Sequence, residues 1–141
     1  LFNMFGVPGE TQADFRKTVE MNRICQPDMQ YTSIFYPYPG TDLYSLCKEQ
    51  GLLRNTFSPG FIEKRNASLD LPGFSRRQIL KNYIWFEYHV YKGHKSIYKL
   101  FAHVFRAKLE TKGYLNYLYR KLTRFKFFKW VKLKLNTARK Y

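Results

Sequence analysis

Two short runs dense in apolar, β-branched and aromatic residues, LFNMFGV at 1–7 and MQYTSIFY at 29–36, are each cut off by a Pro-Gly pair, and a threonine then opens a helical period. That repeat constrains the fold more than any other feature of the chain. Residues 1–7 are almost wholly apolar and suit a strand buried on both faces, as in a parallel sheet. Pro8 and Gly9 break the strand. Thr11, with Asp14 three residues on, forms a variant of the capping box, and Phe15, Val19 and Ile24 follow at near-helical spacing. Pro27 and Asp28 close that helix, and the composition of 29–36 favours a second strand. Pro37-Tyr38-Pro39-Gly40 ends the second strand, since proline has no N–H to donate to a ladder. Thr41 caps a short helix carrying Leu43, Leu46 and Cys47, which stops at Gly51. The pattern predicts βαβα, the repeat of a parallel α/β fold, with adjacent parallel strands and with Gly9 and Gly40 at the same end of the sheet.

Beyond residue 53 the chain changes character. Residues 54–74 show no sustained period and are punctuated by Pro59, Gly60, Pro72 and Gly73, which reads as a connecting segment. Ser75 caps a helix with Ile79, Tyr83, Phe86 and Val90 on one stripe, flanked by Leu80, Ile84 and Tyr91 and ended by Gly93. A second helix places Ile97, Leu100, Phe101, Val104 and Phe105 on one amphipathic face. A third is expected after Gly113, with Leu115, Leu118, Leu122 and Phe125 at spacings of three and four. In 125–135 (FKFFKWVKLKL) helix and strand periods compete, and its conformation stays open. Charge divides the same way. Up to Ser75 there are seven Lys+Arg against eight Asp+Glu, and from Arg76 onward eighteen against two. The expected organisation is therefore an α/β part at 1–53, a connection at 54–74, and a basic, mostly helical extension at 75–141.

Several classes of function find no support. No stretch approaches the roughly 18 apolar residues of a membrane-spanning helix, and the start lacks the layout of a signal peptide, so a cytoplasmic setting is expected. Cys25 and Cys47 are too few and too far apart for a disulfide framework or a complete metal site, and each is expected to be a small buried filler. His89, His94 and His103 show neither a second ligand at metal spacing nor a paired carboxylate. No serine or cysteine stands in a nucleophile motif. The chain has 141 residues, against about 200 or more for a whole (β/α) barrel. It also opens directly on a strand, so it is expected to be a fragment.

Two motifs carry chemical interest. Gly6-Val7-Pro8-Gly9-Glu10-Thr11 lies where a strand turns into a helix; glycines there let backbone approach a ligand, and the helix start offers N–H groups. Tyr36-Pro37-Tyr38-Pro39-Gly40-Thr41 lies at the next such junction, with aromatic rings beside a stiff turn that could stack on a flat ligand. Taken singly, each is first of all a turn whose Gly and Pro serve geometry.

Taken in order, GVPGET, a helix, PDMQYTSIFYPYPGTDLY and then glycine with Leu52 and Leu53 resemble the later part of the radical S-adenosylmethionine (radical SAM) barrel. The closest likeness is to the branch with an N-terminal cobalamin-binding domain, where glycine-leucine-proline-glycine-glutamate-threonine and proline-tyrosine-proline-glycine-threonine are hallmarks. The resemblance covers about the first 53 residues. It implies the terminal βα units of a partial (β/α)₆ barrel in an enzyme that cleaves S-adenosylmethionine at a 4Fe-4S cluster. It also implies cobalamin held by an absent N-terminal domain, and a small-molecule or lipid-like substrate undergoing methyl transfer or ring rearrangement. Gly6, Pro8, Gly9 and Glu10, then Pro37, Tyr38, Pro39, Gly40 and Thr41, are the positions that match turns lining the cofactor or substrate pocket. The family's C-x-x-x-C-x-x-C cluster motif is missing, so this chain alone is expected to be inert without the other half of the enzyme.

A reading from another class treats the chain as a non-enzymatic basic module. Lys126, Lys129, Lys132 and Lys134, interleaved with Phe127, Phe128, Trp130, Val131 and Leu133, suit first a helical extension packed on the barrel. They suit second an anionic membrane surface contacted through 114–135, and last a nucleic acid, for which no recognisable fold or motif is present.

Overall fold

In the computed structural model, which describes residues 1–53, 65–112, 117 and 121, β1 (Phe2–Phe5) and β2 (Tyr31–Ile34) pair in parallel, from Phe2 opposite Tyr31 to Phe5 opposite Ile34. The Tyr31 N–H donates to the Leu1 carbonyl at 2.9 Å and the Phe35 N–H to the Phe5 carbonyl at 2.7 Å, lengthening the ladder at each end. Both strands are shorter than the apolar runs that contain them. The first ends where Gly6 turns to a φ of 76°, which leaves the extended region.

Between the strands runs α1 (Gln12–Cys25), opened by a capping box: the Asp14 N–H donates to the Thr11 hydroxyl, and the Asp14 carboxylate accepts from the Thr11 N–H. Its end is a left-handed cap at Gln26, whose φ is 41°. After β2 comes α2 (Asp42–Glu49), capped by Thr41. Then follow α3 (Arg76–Tyr91), opened by a reciprocal Ser75–Gln78 capping box, and α4 (Ile97–Glu110).

Alternation along β1 and β2 decides where the core lies. Phe5 and Ile34 are buried under α1 and α3, whereas Phe2, Met4 and Tyr31 are exposed on the opposite face. The expectation of burial on both faces is thus corrected: helices cover one face only among the described residues. At the centre the Phe5 ring meets Phe15 of α1 edge-on at 5.1 Å and Phe86 of α3 at 4.8 Å, and Phe15 meets Phe74 at 5.8 Å. The predicted α3 stripe of Ile79, Tyr83, Phe86 and Val90 is buried in full, joined by Tyr91.

Other expectations are corrected in detail. Ile24 is exposed, because it stands nine residues after Phe15 and so half a turn round the helix from the buried line of Phe15 and Asn22. On α4 only Leu100 and Val104 are buried; Ile97 and Phe105 stay exposed and Phe101 about half so, since α3 alone packs closely against this helix among the described elements. Residues 65–74 contain a period that the composition hid: Ala67, Leu69 and Leu71 are buried in alternation, and Leu69 bridges Leu53. The expected third helix and residues 125–135 lie outside the described residues. No helix among the described residues is long and apolar enough to cross a membrane.

Candidate functional site

Because β1 and β2 run parallel and in register, the chain leaves both at the same end of the sheet. The two motifs found in the sequence therefore begin side by side, and they are built alike. In the first, the Glu10 N–H donates to the Val7 carbonyl at 2.9 Å, closing Val7-Pro8-Gly9-Glu10 with Gly9 at φ 86°. In the second, the Thr41 N–H donates to the Tyr38 carbonyl at 3.2 Å, closing Tyr38-Pro39-Gly40-Thr41 with Gly40 at φ 87°. Proline then a positive-φ glycine is the pattern of a type II turn. Each turn leads directly into a threonine N-cap, Thr11 in one and Thr41 in the other. The Thr41 hydroxyl also donates to the Tyr38 carbonyl at 2.8 Å, locking the turn to the cap.

Within the first turn, the Glu10 carboxylate folds back on the strand end. Its Oε2 accepts from the Gly6 N–H and, at 3.2 Å, from the Val7 N–H. Two successive N–H groups aimed at one carboxylate form an anion-holding nest that the chain fills with its own side chain. Burial raises the Glu10 pKa above its ordinary value; the two backbone bonds oppose that rise, and the nearby Asp14 charge adds to it. Gly6 is held for a second reason: a Cβ built there would come within 3.2 Å of Ile79 Cδ1 on α3. Gly9 and Gly40 are exposed, with nothing near an added Cβ, so the backbone of these turns is open to solvent.

The second motif is half sunk. Tyr36 and Pro37 are buried, while Tyr38, Pro39, Gly40 and Thr41 are exposed. The Tyr36 and Tyr38 rings meet edge to face at 4.9 Å, which fixes the exposed Tyr38 ring beside the turn. The segment before α3 closes the back of the first turn. The Gln12 N–H donates to the Gly73 carbonyl at 3.3 Å, Gln78 Nε2 donates to Gln12 Oε1 at 3.1 Å, and the Thr11 side chain lies 3.4 Å from where a Gly73 Cβ would be.

Sequence reasoning missed two contacts away from the turns. Asn3 and Asn22 exchange amide hydrogen bonds of 3.1 and 2.9 Å between β1 and α1, with Asn22 buried. The signal was a lone asparagine inside an apolar strand, which needs a partner when it faces a core. His103 Nδ1 lies 2.9 Å from Glu87 Oε2, so this histidine does have a carboxylate partner, one that arises only when α4 packs on α3.

The described residues do not fit an iron–sulfur cluster. No group of three or more His, Cys, Asp or Glu that could hold a metal ion occurs among them. Cys47 is buried, and burial raises its thiol pKa away from the thiolate a cluster needs. Cys25, expected to be buried, is exposed as the last residue of α1, at the end of the sheet opposite the two turns.

Over 43 residues, 30% of this chain, the sequence is 42% identical to a tRNA-2-methylthio-N(6)-dimethylallyladenosine synthase of Chromobacterium violaceum. The matched stretch spans 10% of that relative's length. No family model matches the chain, and no solved structure does. The similarity supports the radical SAM resemblance and carries nothing about cobalamin.

Proposed function

We propose that residues 1–53 are two consecutive βα units of a radical SAM (β/α)₆ barrel, whose two Pro-Gly turns line the pocket for S-adenosylmethionine or for the substrate beside it. The observation that carries this reading is the in-register parallel pairing of β1 and β2, which sends both turns out of one end of the sheet. That is the end at which parallel α/β folds take their ligands. The one-sided covering of the sheet supports it. In a barrel, helices pack outside and the inner face of each strand looks onto the lumen. In this reading the exposed Phe2, Met4 and Tyr31 belong to that inner face; the Phe2 and Tyr31 rings stack at 5.1 Å.

In this reading Gly9, Pro39 and Gly40 bring bare backbone to the ligand, Tyr38 offers a ring beside it, and Glu10 and Thr41 hold the two turns in shape. The cluster cysteines come from polypeptide beyond these residues, and residues 1–141 by themselves do no radical chemistry. A cobalamin-dependent methyl transfer or ring rearrangement on a lipid-like or other small precursor is the finer form of the proposal. Reading the transcript through the codon for Leu1 tests it. An in-frame C-x-x-x-C-x-x-C ahead of that codon supports the enzyme, and an open frame carrying no such motif contradicts it.

A further inference from the structure

The packing of α4 on α3 leaves an apolar surface that the turns do not use. Ile97, Phe101 and Phe105 stand four residues apart and form one ridge, beside a Tyr98 that is 84% exposed; Phe105 is 64% exposed. Lys108 continues the same ridge three residues on, and Lys112 follows just past the end of the helix. Where the helices meet, the Phe101 ring lies 6.3 Å from Trp85 and 5.8 Å from Tyr88, and Trp85 meets Tyr88 edge-on at 5.4 Å. Lys81, Trp85 and Tyr88 recur along one face of α3 by the same arithmetic, and Lys92 caps its end. Both ridges thus run from aromatic residues into lysines.

The charge here is one-sided. Residues 76–112 contain only two acidic side chains, Glu87 and Glu110. Both have partners: Glu87 Oε2 lies 2.9 Å from His103 Nδ1, and Glu110 is ion-paired with Arg106 at 2.9 Å and Arg65 at 3.3 Å. The field is felt at His89, whose pKa is lowered first by burial and then by Lys92 and Lys81.

We infer that the α3–α4 seam is a peripheral binding surface for an anionic lipid bilayer. It lays Ile97, Tyr98, Phe101 and Phe105 into the interface and sets the flanking lysines at the head groups. A bilayer suits the chemistry better than a nucleic acid does. Ile97 has nothing to offer a base, and the rings lock each other edge to face, Trp85 at 88° to Tyr88 and 85° to Phe101, instead of presenting parallel plates for stacking. This surface is drawn from residues 81–112 of the chain, and it does not rest on the radical SAM reading.

The test is flotation of the whole chain with vesicles of phosphatidylcholine alone and of phosphatidylcholine with phosphatidylserine, residues 113–141 being kept in every variant. Tyr98→Ser/Phe105→Ser removes two exposed side chains, and circular dichroism checks that helix content is unchanged. The wild type is expected to bind the anionic vesicles preferentially. The aromatic variant is expected to lose about tenfold in binding even at low salt. Lys108→Glu/Lys112→Glu is expected to lose about tenfold at low salt, the difference fading as salt shortens the Debye length. The inference is overturned by equal binding to neutral vesicles, by no binding to either, or by an aromatic variant that binds like the wild type. It is equally overturned if a homopolymeric RNA is bound in preference to the vesicles.

Discussion

Gly6 and Gly9 share a positive φ yet are held for different reasons. At Gly9 only the dihedral resists a side chain, so Gly9→Ala is expected to cost about 1–2 kcal/mol. At Gly6 the contact with Ile79 Cδ1 is added, so Gly6→Ala should cost more, and part of the excess should return in an Ile79→Val background that lacks that atom. Urea midpoints for the four chains measure the coupling; equal costs at the two glycines would show that the contact is relieved by a small shift. Glu10 gives a pH signature. Its raised pKa means that the folded protein binds this proton more tightly than the unfolded chain does, so stability falls as pH climbs from the ordinary 4.5 through the raised value. Glu10→Gln keeps an acceptor oxygen and abolishes that titration. Its stability should depend less on pH across this window, as read by melts at a series of pH values. The Pro-Gly turns and threonine caps were legible in sequence because four or five consecutive residues dictate them. The Asn3–Asn22 and Glu87–His103 pairs were not, because each forms only when two distant elements meet.

α1 and α3 show what a helical period does and does not say. Caps and stripe together predicted α3 to its ends, and Phe86 on that stripe reaches the centre of the core, against Phe5 and Phe15. Phe86→Ala is therefore expected to cost about 3–5 kcal/mol, with a urea transition shifted or lost; a loss under about 1 kcal/mol would mean that the core does not close around this ring. α3 also ties down the entrance to β2, the Tyr91 hydroxyl donating to the Pro27 carbonyl at 2.6 Å. Tyr91→Phe should cost about 1 kcal/mol in the same assay. For α4 the period marked Ile97, Leu100, Phe101, Val104 and Phe105, but a period gives the width of a stripe and not how much of it a neighbour covers. Ile97 and Phe105 remain outside for that reason. The alternation of Ala67, Leu69 and Leu71 was present in the sequence, but it is too short to stand out between Pro59 and Pro72.

At the scale of the molecule, the parallel pairing was legible because a helix between two apolar runs leaves little other choice. The exposure of one sheet face was not legible, since an apolar strand reads the same whether or not a neighbour is there to cover it. A two-stranded sheet is marginal on its own, and the one formed among the described residues carries Phe2, Met4 and Tyr31 on its exposed face. The central claim is that these two βα units belong to a radical SAM barrel whose cluster ligands lie outside the described residues. Anaerobic reconstitution with iron and sulfide, followed by reduction with S-adenosylmethionine present, tests it on two samples: residues 1–141, and the full translation product of the frame that encodes them. The account predicts no cluster and no 5′-deoxyadenosine from the first, because two separated cysteines cannot supply three ligands, and both from the second. Cluster absorption and 5′-deoxyadenosine from residues 1–141 alone, or neither from the full product, would contradict it.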